Sequence, residues 1–229
     1  MKKLRDATLA EVIRAMVKRE YEYGKNRRQP GQRGSFYSMF YERLDHQGKP
    51  PALVVVEGRS EMFVEMPEGI QWGLWHIEPA DLPRIMVINS AGWNGHPRDF
   101  SLPERARAIW EGKMDVTRTK DRILDMLREA ESTFASNKTP VLIAKSEAGP
   151  WTVLEGNHTM IAASHIYAEQ KTLPLEEVFV GLLPQEAAYR FLREGALNRV
   201  HTRQGKTSED IVAVRFPEFV REAVRVASR

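Results

Sequence analysis

Apolar positions in the first third of the chain change from helical spacing to strand-like runs. Apolar residues recur every three or four positions between residues 9 and 17, which predicts a helix over residues 8–23. Thr8 and Glu11 form a capping-box pattern at its start. The short runs LVVVEG, EMFVEM and QWGLWHI then follow between residues 50 and 78, separated by Gly and Pro. These runs predict a small antiparallel sheet or meander.

The rest of the chain alternates between strand-like runs and helical stripes. PVLIAK and WTVL are predicted to form a hairpin, because the turn sequence EAGP joins them. This order predicts an α+β fold in which helices cover one sheet layer. The predicted strands are DLPRIMVIN, PVLIAK, WTVL and EEVFVGLL, and the predicted helices cover residues 103–110, 119–135, 158–170, 185–193 and 216–226.

The bulk composition is that of a water-soluble globular protein with one substantial core. The chain has 229 residues, 42% of them hydrophobic and 28% charged. Cysteine is absent, which excludes disulfide bonds, thiolate metal sites and cysteine nucleophiles. The apolar runs are far shorter than the ~20 residues that span a bilayer. We therefore expect no membrane association and a cytoplasmic location.

Positive charge is concentrated at both ends of the chain. Residues 1–34 contain ten Lys/Arg and four Asp/Glu, and residues 190–229 contain nine and five. Such ends are either solvated surface or a contact surface for a polyanion such as nucleic acid. Both interpretations stay open from the sequence.

The segment TVLEGNHTMIAA at residues 152–163 places reactive side chains where a strand meets a helix. The first N–H groups of a helix have no internal partners and carry partial positive charge, so they bind anions. Gly156 lets a ligand approach the backbone of Asn157, His158 and Thr159. His158 can donate to a phosphate or move a proton, and Glu155 can accept a proton or hold Mg²⁺. Alternatively, the segment is only a Gly-Asn turn with a helix cap.

The segment TVLEGNHTMIAASHIYAEQ resembles the signature of the ParB/sulfiredoxin-like superfamily, a strand, then Asp-Gly-x-His-Arg, then a helix of small residues. The preceding RILDMLREAESTFASNKTPVLIAKSEAGPW, the following LPLEEVFVGLLP and the earlier HIEPADLPRIMVIN resemble its flanking elements. The resemblance implies a small mixed sheet flanked by helices over residues 75–184. Residues 1–74 would then form an N-terminal helix, basic loop and β extension, and residues 185–229 a C-terminal helical extension.

The resemblance also implies that the loop at the helix start binds nucleotide phosphates. Glu155 stands where the superfamily has its acid, Gly156 and His158 match directly, and Thr159 replaces the arginine. Losing that arginine removes a bidentate phosphate donor. Arg98, in the polar stretch GHPRD, is a candidate substitute. The absence of cysteine excludes a sulfiredoxin-type reaction through a thiol.

The function expected from the resemblance and these residues is that of a phosphoryl-transfer enzyme, kinase-like or nucleotide-hydrolysing, that acts on a small hydroxyl-bearing metabolite. The cofactors would be ATP, ADP or CTP with Mg²⁺. Glu78 and Asp81, on the predicted opening strand HIEPADLPRIMVIN, are candidate general bases. Trp72, Trp75 and Trp93 are either core residues or a platform for a base. The alternatives are a ParB-like DNA-binding protein or nuclease and a non-catalytic ligand sensor.

Overall fold

The computed structural model describes residues 1–16, 66–88, 101–113, 139–189 and 191–192. The chain divides into two compact units, Met1–Thr8 with Pro67–His201 and Leu9–Met66 with Thr202–Arg229. The first unit contains strands β1 (Lys2–Asp6), β2 (Gln71–His76), β3 (Ile85–Met86), β4 (Val141–Ala144), β5 (Trp151–Glu155) and β6 (Glu177–Leu182), a 3-10 helix (Pro79–Arg84), and helices α1 (Leu102–Trp110) and α2 (Asn157–Gln170).

The six strands form one mixed sheet in the order β1–β2–β6–β4–β5–β3. The pairs β1–β2, β2–β6 and β4–β5 are antiparallel, and the pairs β6–β4 and β5–β3 are parallel. The predicted α+β class is confirmed. The predicted hairpin of β4 and β5 is also confirmed, as are strands at QWGLWHI and EEVFVGLL.

Helices α1 and α2 pack on one face of this sheet. Alternate residues of the central strands point towards them, as the two-residue period of a strand requires. Burying each such aliphatic side chain contributes roughly 1.5–3 kcal/mol. The shared core includes Leu142, Ala144, Val153, Val178 and Val180 from the strands, Leu102, Ala106 and Ile109 from α1, and Met160, Ile161, Ala163 and Ile166 from α2.

Helix α1 begins as its sequence predicts. Pro103 lies in the first turn, where its missing N–H costs no hydrogen bond. Glu104 Oε2 accepts hydrogen bonds from Ser101 N at 2.8 Å and Ser101 Oγ at 2.7 Å. These bonds from the Ser101 side chain and backbone lower the pKa of Glu104 below its ordinary value.

The predicted strand DLPRIMVIN is largely wrong. Its first part lies in the 3-10 helix, and only Ile85–Met86 pairs as a strand, with Trp151 and Thr152 of β5. Proline at positions 79 and 83 favours this outcome, because proline fixes φ and cannot donate to a ladder. The strand therefore begins only after the second proline.

Two further differences come from contacts that no local pattern shows. Strand β1 was not predicted, because KKLRD has no alternation of apolar and polar residues; it forms by pairing with β2. The predicted helix over residues 185–193 is wrong for its described residues, which form turns instead. Ala187 N donates to Pro184 O and Leu192 N to Tyr189 O, which are bonds of four-residue turns.

In the second unit, residues 9–16 are helical and Val12, Ile13 and Met16 are buried, which agrees with the predicted spacing. The predicted helices over 119–135 and 216–226, and the runs LVVVEG and EMFVEM up to residue 65, lie outside the described residues. The domain limits 1–74, 75–184 and 185–229 stay predictions. Among the helices that the structure describes, none combines the length and apolar character needed to cross a bilayer.

Candidate functional site

The candidate site is the junction at which β5 ends and α2 begins. Gly156 caps α2 with φ 94° and ψ 22°, a left-handed conformation that glycine adopts without a steric penalty. Its carbonyl accepts from Met160 N at 2.9 Å, which closes the first helical turn. A glycine cap has no side chain to accept bonds from the first-turn N–H groups. The positive end of a fourteen-residue helix therefore starts directly after the strand.

Asn157 has a structural contact at this junction. Its side chain is buried, and Oδ1 accepts a hydrogen bond from Ile88 N at 3.0 Å. Ile88 lies two residues beyond β3, so this bond joins the end of β3 to the start of α2. The side-chain amide of Asn157 thus holds the junction in place. The backbone N–H of Asn157 is the group that fits the predicted contact with an anion.

The other predicted site residues of this segment lie together at the same turn. Glu155 is the last residue of β5 and is half-buried, as is His158 in the first turn of α2. Thr159 is buried. Glu155 and His158 thus lie three positions apart around the helix start, and a carboxylate and an imidazole are groups that can accept or donate a proton.

The junction offers one carboxylate, that of Glu155, to a metal ion. Within the described ranges, no group of three or more His, Asp or Glu side chains could hold a metal ion. Glu155 would be a single carboxylate ligand. Mg²⁺ commonly uses one or two carboxylates and completes its shell with water and substrate phosphates. A single carboxylate is compatible with a Mg²⁺ ion that arrives with a nucleotide, and this cofactor stays a prediction.

The two candidate general bases outside the junction are not on a strand, contrary to prediction. Glu78 precedes the 3-10 helix and Asp81 lies inside it. The buried carboxylate of Asp81 accepts from Glu78 N at 2.9 Å through Oδ2, and its Oδ1 lies 2.5 Å from the Met1 amino group. These contacts hold the 3-10 helix against β1. Arg98 lies outside the described residues.

Trp72 and Trp75 are core residues and not a stacking platform. They are 7% and 2% exposed, and Trp75 belongs to the core shared with α1 and α2. Trp93 lies outside the described part of the chain.

An aromatic contact between the two helices was missed by the sequence analysis. Trp110, at the end of α1, stacks on His165 of α2 with ring centroids 4.0 Å apart. Burial lowers the pKa of His165 and outweighs the raising effect of the Glu169 charge. The seven-residue spacing of His158 and His165 shows that they share a helix face, but only the tertiary packing brings Trp110 there.

No family model matches the chain, and neither a curated protein nor a solved structure shows significant similarity to it. The resemblance to the ParB/sulfiredoxin-like superfamily therefore stays a hypothesis that depends on the segment at residues 152–170 and its flanks.

Proposed function

We propose that the start of α2 binds the phosphates of a nucleotide and that the protein transfers a phosphoryl group to a small hydroxyl-bearing metabolite. The observation that supports this proposal is the left-handed Gly156 between β5 and α2. It leaves the approach to the first-turn N–H groups free of a Cβ atom. Backbone N–H groups at a helix start bind phosphate through direct hydrogen bonds and the helix dipole.

The reaction would depend mainly on positioning and charge neutralisation. The N–H groups of the first turn of α2 would hold a phosphate, and His158 would donate to one of its oxygens. The metabolite oxygen would form a bond to the terminal phosphorus while the bond to the nucleoside diphosphate breaks. The hydroxyl proton would pass to Glu155 or His158. Mg²⁺, held in part by Glu155, would offset phosphate charge.

The start of α2 supplies little positive charge of its own. Thr159 is buried and neutral, so it cannot replace the arginine of the superfamily signature. The helix dipole contributes about half a charge. The remaining charge would come from Mg²⁺ and a cationic side chain, for which Arg98 is the sequence-based candidate. Because of this deficit, we expect nucleotide binding to depend strongly on Mg²⁺.

The test is a thermal-shift titration of the full chain with ATP, ADP and CTP, with and without Mg²⁺. A ligand present at 100 times its dissociation constant stabilises the native state by about 2.7 kcal/mol. We expect a Mg²⁺-dependent rise in Tm, which His158→Ala reduces. His76→Ala is the matched control, because His76 is half-buried on β2, away from the junction.

Two other outcomes would favour the alternatives. Binding of DNA that weakens steeply with salt, without a response to nucleotides, would support a DNA-binding protein or nuclease. A nucleotide response without phosphate release or transfer would support a ligand sensor. No response to any nucleotide would contradict the proposed function.

A further inference from the structure

The side chain of Asn157 uses only one of its two polar ends within the described part of the protein. Asn157 is 7% exposed, and its Oδ1 accepts a hydrogen bond from Ile88 N at 3.0 Å. Because Ile88 offers an N–H group, the amide oxygen must face it, and Nδ2 lies on the other side of the planar amide. Among the residues that the structure describes, none accepts a hydrogen bond from Nδ2. Nδ2 is also not enclosed by the protein, so a group from solution can reach it.

This open end of the amide lies at the start of α2. Asn157 is the first residue of the helix and follows the Gly156 cap. Helical side chains tilt towards the N-terminus of their helix, and the bond to Ile88 prevents this side chain from turning away. The NH₂ group therefore adds a side-chain donor beside the backbone N–H groups of the first turn.

The fold by itself does not require an amide at this position. Aspartate has the same shape, and its oxygen would accept from Ile88 N through a stronger, charge-assisted hydrogen bond. A negative charge at a helix start is also stabilised by the helix dipole. Burial opposes the charge, but the second carboxylate oxygen would occupy the position of Nδ2, which water reaches. What the amide supplies and a carboxylate lacks is a donor without negative charge.

We propose that the Asn157 side chain binds the ligand of this site and selects an anion. Nδ2 donates to an oxygen of a phosphate or pyrophosphate group that the first-turn N–H groups also hold, and the neutral amide does not repel it. This inference rests on the phosphate site of the proposed function, because it concerns the same ligand. It adds a side-chain donor to a helix start at which Thr159 is buried and neutral.

The Glu155 carboxylate, two positions earlier in the chain, opposes an anion at this place. Glu155 ends β5 and is half-buried. Like charges repel each other unless a cation offsets them, and Mg²⁺ commonly binds one or two carboxylates together with substrate phosphates. We therefore expect tighter binding of the anion in the presence of Mg²⁺.

The amide of Asn157 also connects the ligand to the end of β3. A hydrogen bond donated by Nδ2 polarises the amide and makes Oδ1 a better acceptor, because hydrogen bonds in a chain strengthen one another. An anion at the start of α2 should therefore strengthen the bond from Ile88 N, which lies two residues beyond β3. The measurable consequence is slower hydrogen exchange of the Ile88 N–H when the anion is bound.

The experiment titrates the full chain with inorganic pyrophosphate and with ATP, each with and without Mg²⁺, and derives affinity from the rise in Tm. Asn157→Asp keeps the acceptor for Ile88 N and replaces the donor by a negative charge. We expect this variant to have at least the native free energy of unfolding in urea and to bind pyrophosphate about tenfold or more weakly. In the native chain, pyrophosphate should slow the exchange of the Ile88 N–H, measured by mass spectrometry.

The matched control is Gln185→Glu, which makes the same change from an amide to a carboxylate of equal shape. Gln185 is exposed and donates to Lys145 O, just beyond one end of β4. Glu155, at the junction, pairs with Val141 at the other end of β4. The added charge is therefore remote from the start of α2 and should leave binding within about twofold.

The outcomes separate this inference from the proposed function. If the native chain binds ATP and Asn157→Asp binds it as tightly, or no more weakly than Gln185→Glu does, the inference fails and the proposed site stands. A clearly less stable Asn157→Asp also overturns the inference, because the fold itself would then need the amide. So does exchange of the Ile88 N–H that bound pyrophosphate leaves unchanged.

Two further results concern the ligand. Pyrophosphate binding that Asn157→Asp loses, without any response to nucleotides, would support the inference and contradict the proposed function. No response of the native chain to pyrophosphate or to a nucleotide would contradict both.

Discussion

Asn157 Oδ1 accepts a hydrogen bond from Ile88 N at 3.0 Å, although the two residues lie 69 positions apart. Both groups are buried, so the bond joins the end of β3 to the start of α2 within the protein interior. An asparagine that sequence reasoning assigns to a turn thus connects two elements. The position of the helix start relative to the sheet depends on this contact.

Replacing Asn157 should destabilise the protein measurably. Asn157→Ala leaves the buried N–H of Ile88 without its acceptor, which costs about 1–3 kcal/mol. Urea unfolding followed by circular dichroism gives the free energy of unfolding. The control is Gln185→Ala, which removes an exposed bond to Lys145 O and should cost less than about 0.5 kcal/mol. Equal stability of Asn157→Ala and the native sequence would contradict the structural role of this side chain.

Replacing Gly156 should affect both stability and ligand response. Gly156→Ala forces a Cβ-bearing residue into the left-handed region at φ 94°, which costs about 1–2 kcal/mol. It also narrows the approach to the first-turn N–H groups of α2. We expect a lower free energy of unfolding in urea and a smaller nucleotide-induced rise in Tm.

The control for this variant is Gly112→Ala. Gly112 also has a positive φ, 71°, and a Cβ there would meet no heavy atom within 4 Å. It should show a similar loss of stability and a normal response to nucleotide. If both variants respond to nucleotide like the native protein, the helix start is not the binding site.

His165 should make the protein less stable in mild acid. Burial lowers its folded-state pKa below the ordinary 6.5, so the unfolded chain binds the proton more readily. Its contribution to stability is therefore complete above about pH 6.5 and is lost as the pH falls towards the folded pKa. The measurement is the free energy of unfolding at several pH values between about 5 and 8.

The variant His165→Phe keeps an aromatic ring against Trp110 but cannot take up a proton. It should show a smaller decrease of stability with falling pH than the native chain. His76→Gln, on β2 and away from α2, is the control for the loss of one histidine. An unchanged slope in His165→Phe would rule out His165 as the source of acid sensitivity.

Gly181 should tolerate no side chain beneath Trp72. A Cβ at Gly181 would lie 2.7 Å from Trp72 Cζ3 and 2.9 Å from Ile70 Cγ2. Gly181→Ala should therefore cost about 1–3 kcal/mol of stability through overpacking. In a double-mutant cycle, combination with Trp72→Leu should cost less than the sum of the single changes, because the ring that clashes is absent. Additive costs in urea unfolding would show that Trp72 and Gly181 are not in tight contact.

The sequence predicts those elements whose apolar pattern agrees with their local chemistry. Helix α2 and the hairpin of β4 and β5 are examples, since spacing, Gly149 and Pro150 all indicate the same structure. Helix α1 likewise has its cap and proline in the expected places. The strand–glycine–helix junction was predicted in the same way, because glycine between a strand and an apolar helix has few structural interpretations.

The elements that were missed depend on distant contacts. β1 has no strand pattern of its own and pairs with β2, and the predicted strand DLPRIMVIN is shortened because Pro83 and the preceding Pro79 lie in a 3-10 helix. The bond between Asn157 and Ile88 and the stack of Trp110 on His165 join segments far apart in sequence. Tertiary packing overrides local preference in such places.

The strand order of the sheet determines when the sheet can assemble during synthesis. β1 and β2 are made early, but β2 needs β6 on its other side, and Gln71 pairs with Leu182. β6 also supplies the parallel neighbour of β4. A ribosome must therefore release the chain through residue 182 before the centre of the sheet can close. Because such pairings join residues distant in sequence, we expect this unit to fold slowly, and a nascent chain that stops before β6 would leave the edges of β2 and β4 open to chaperones.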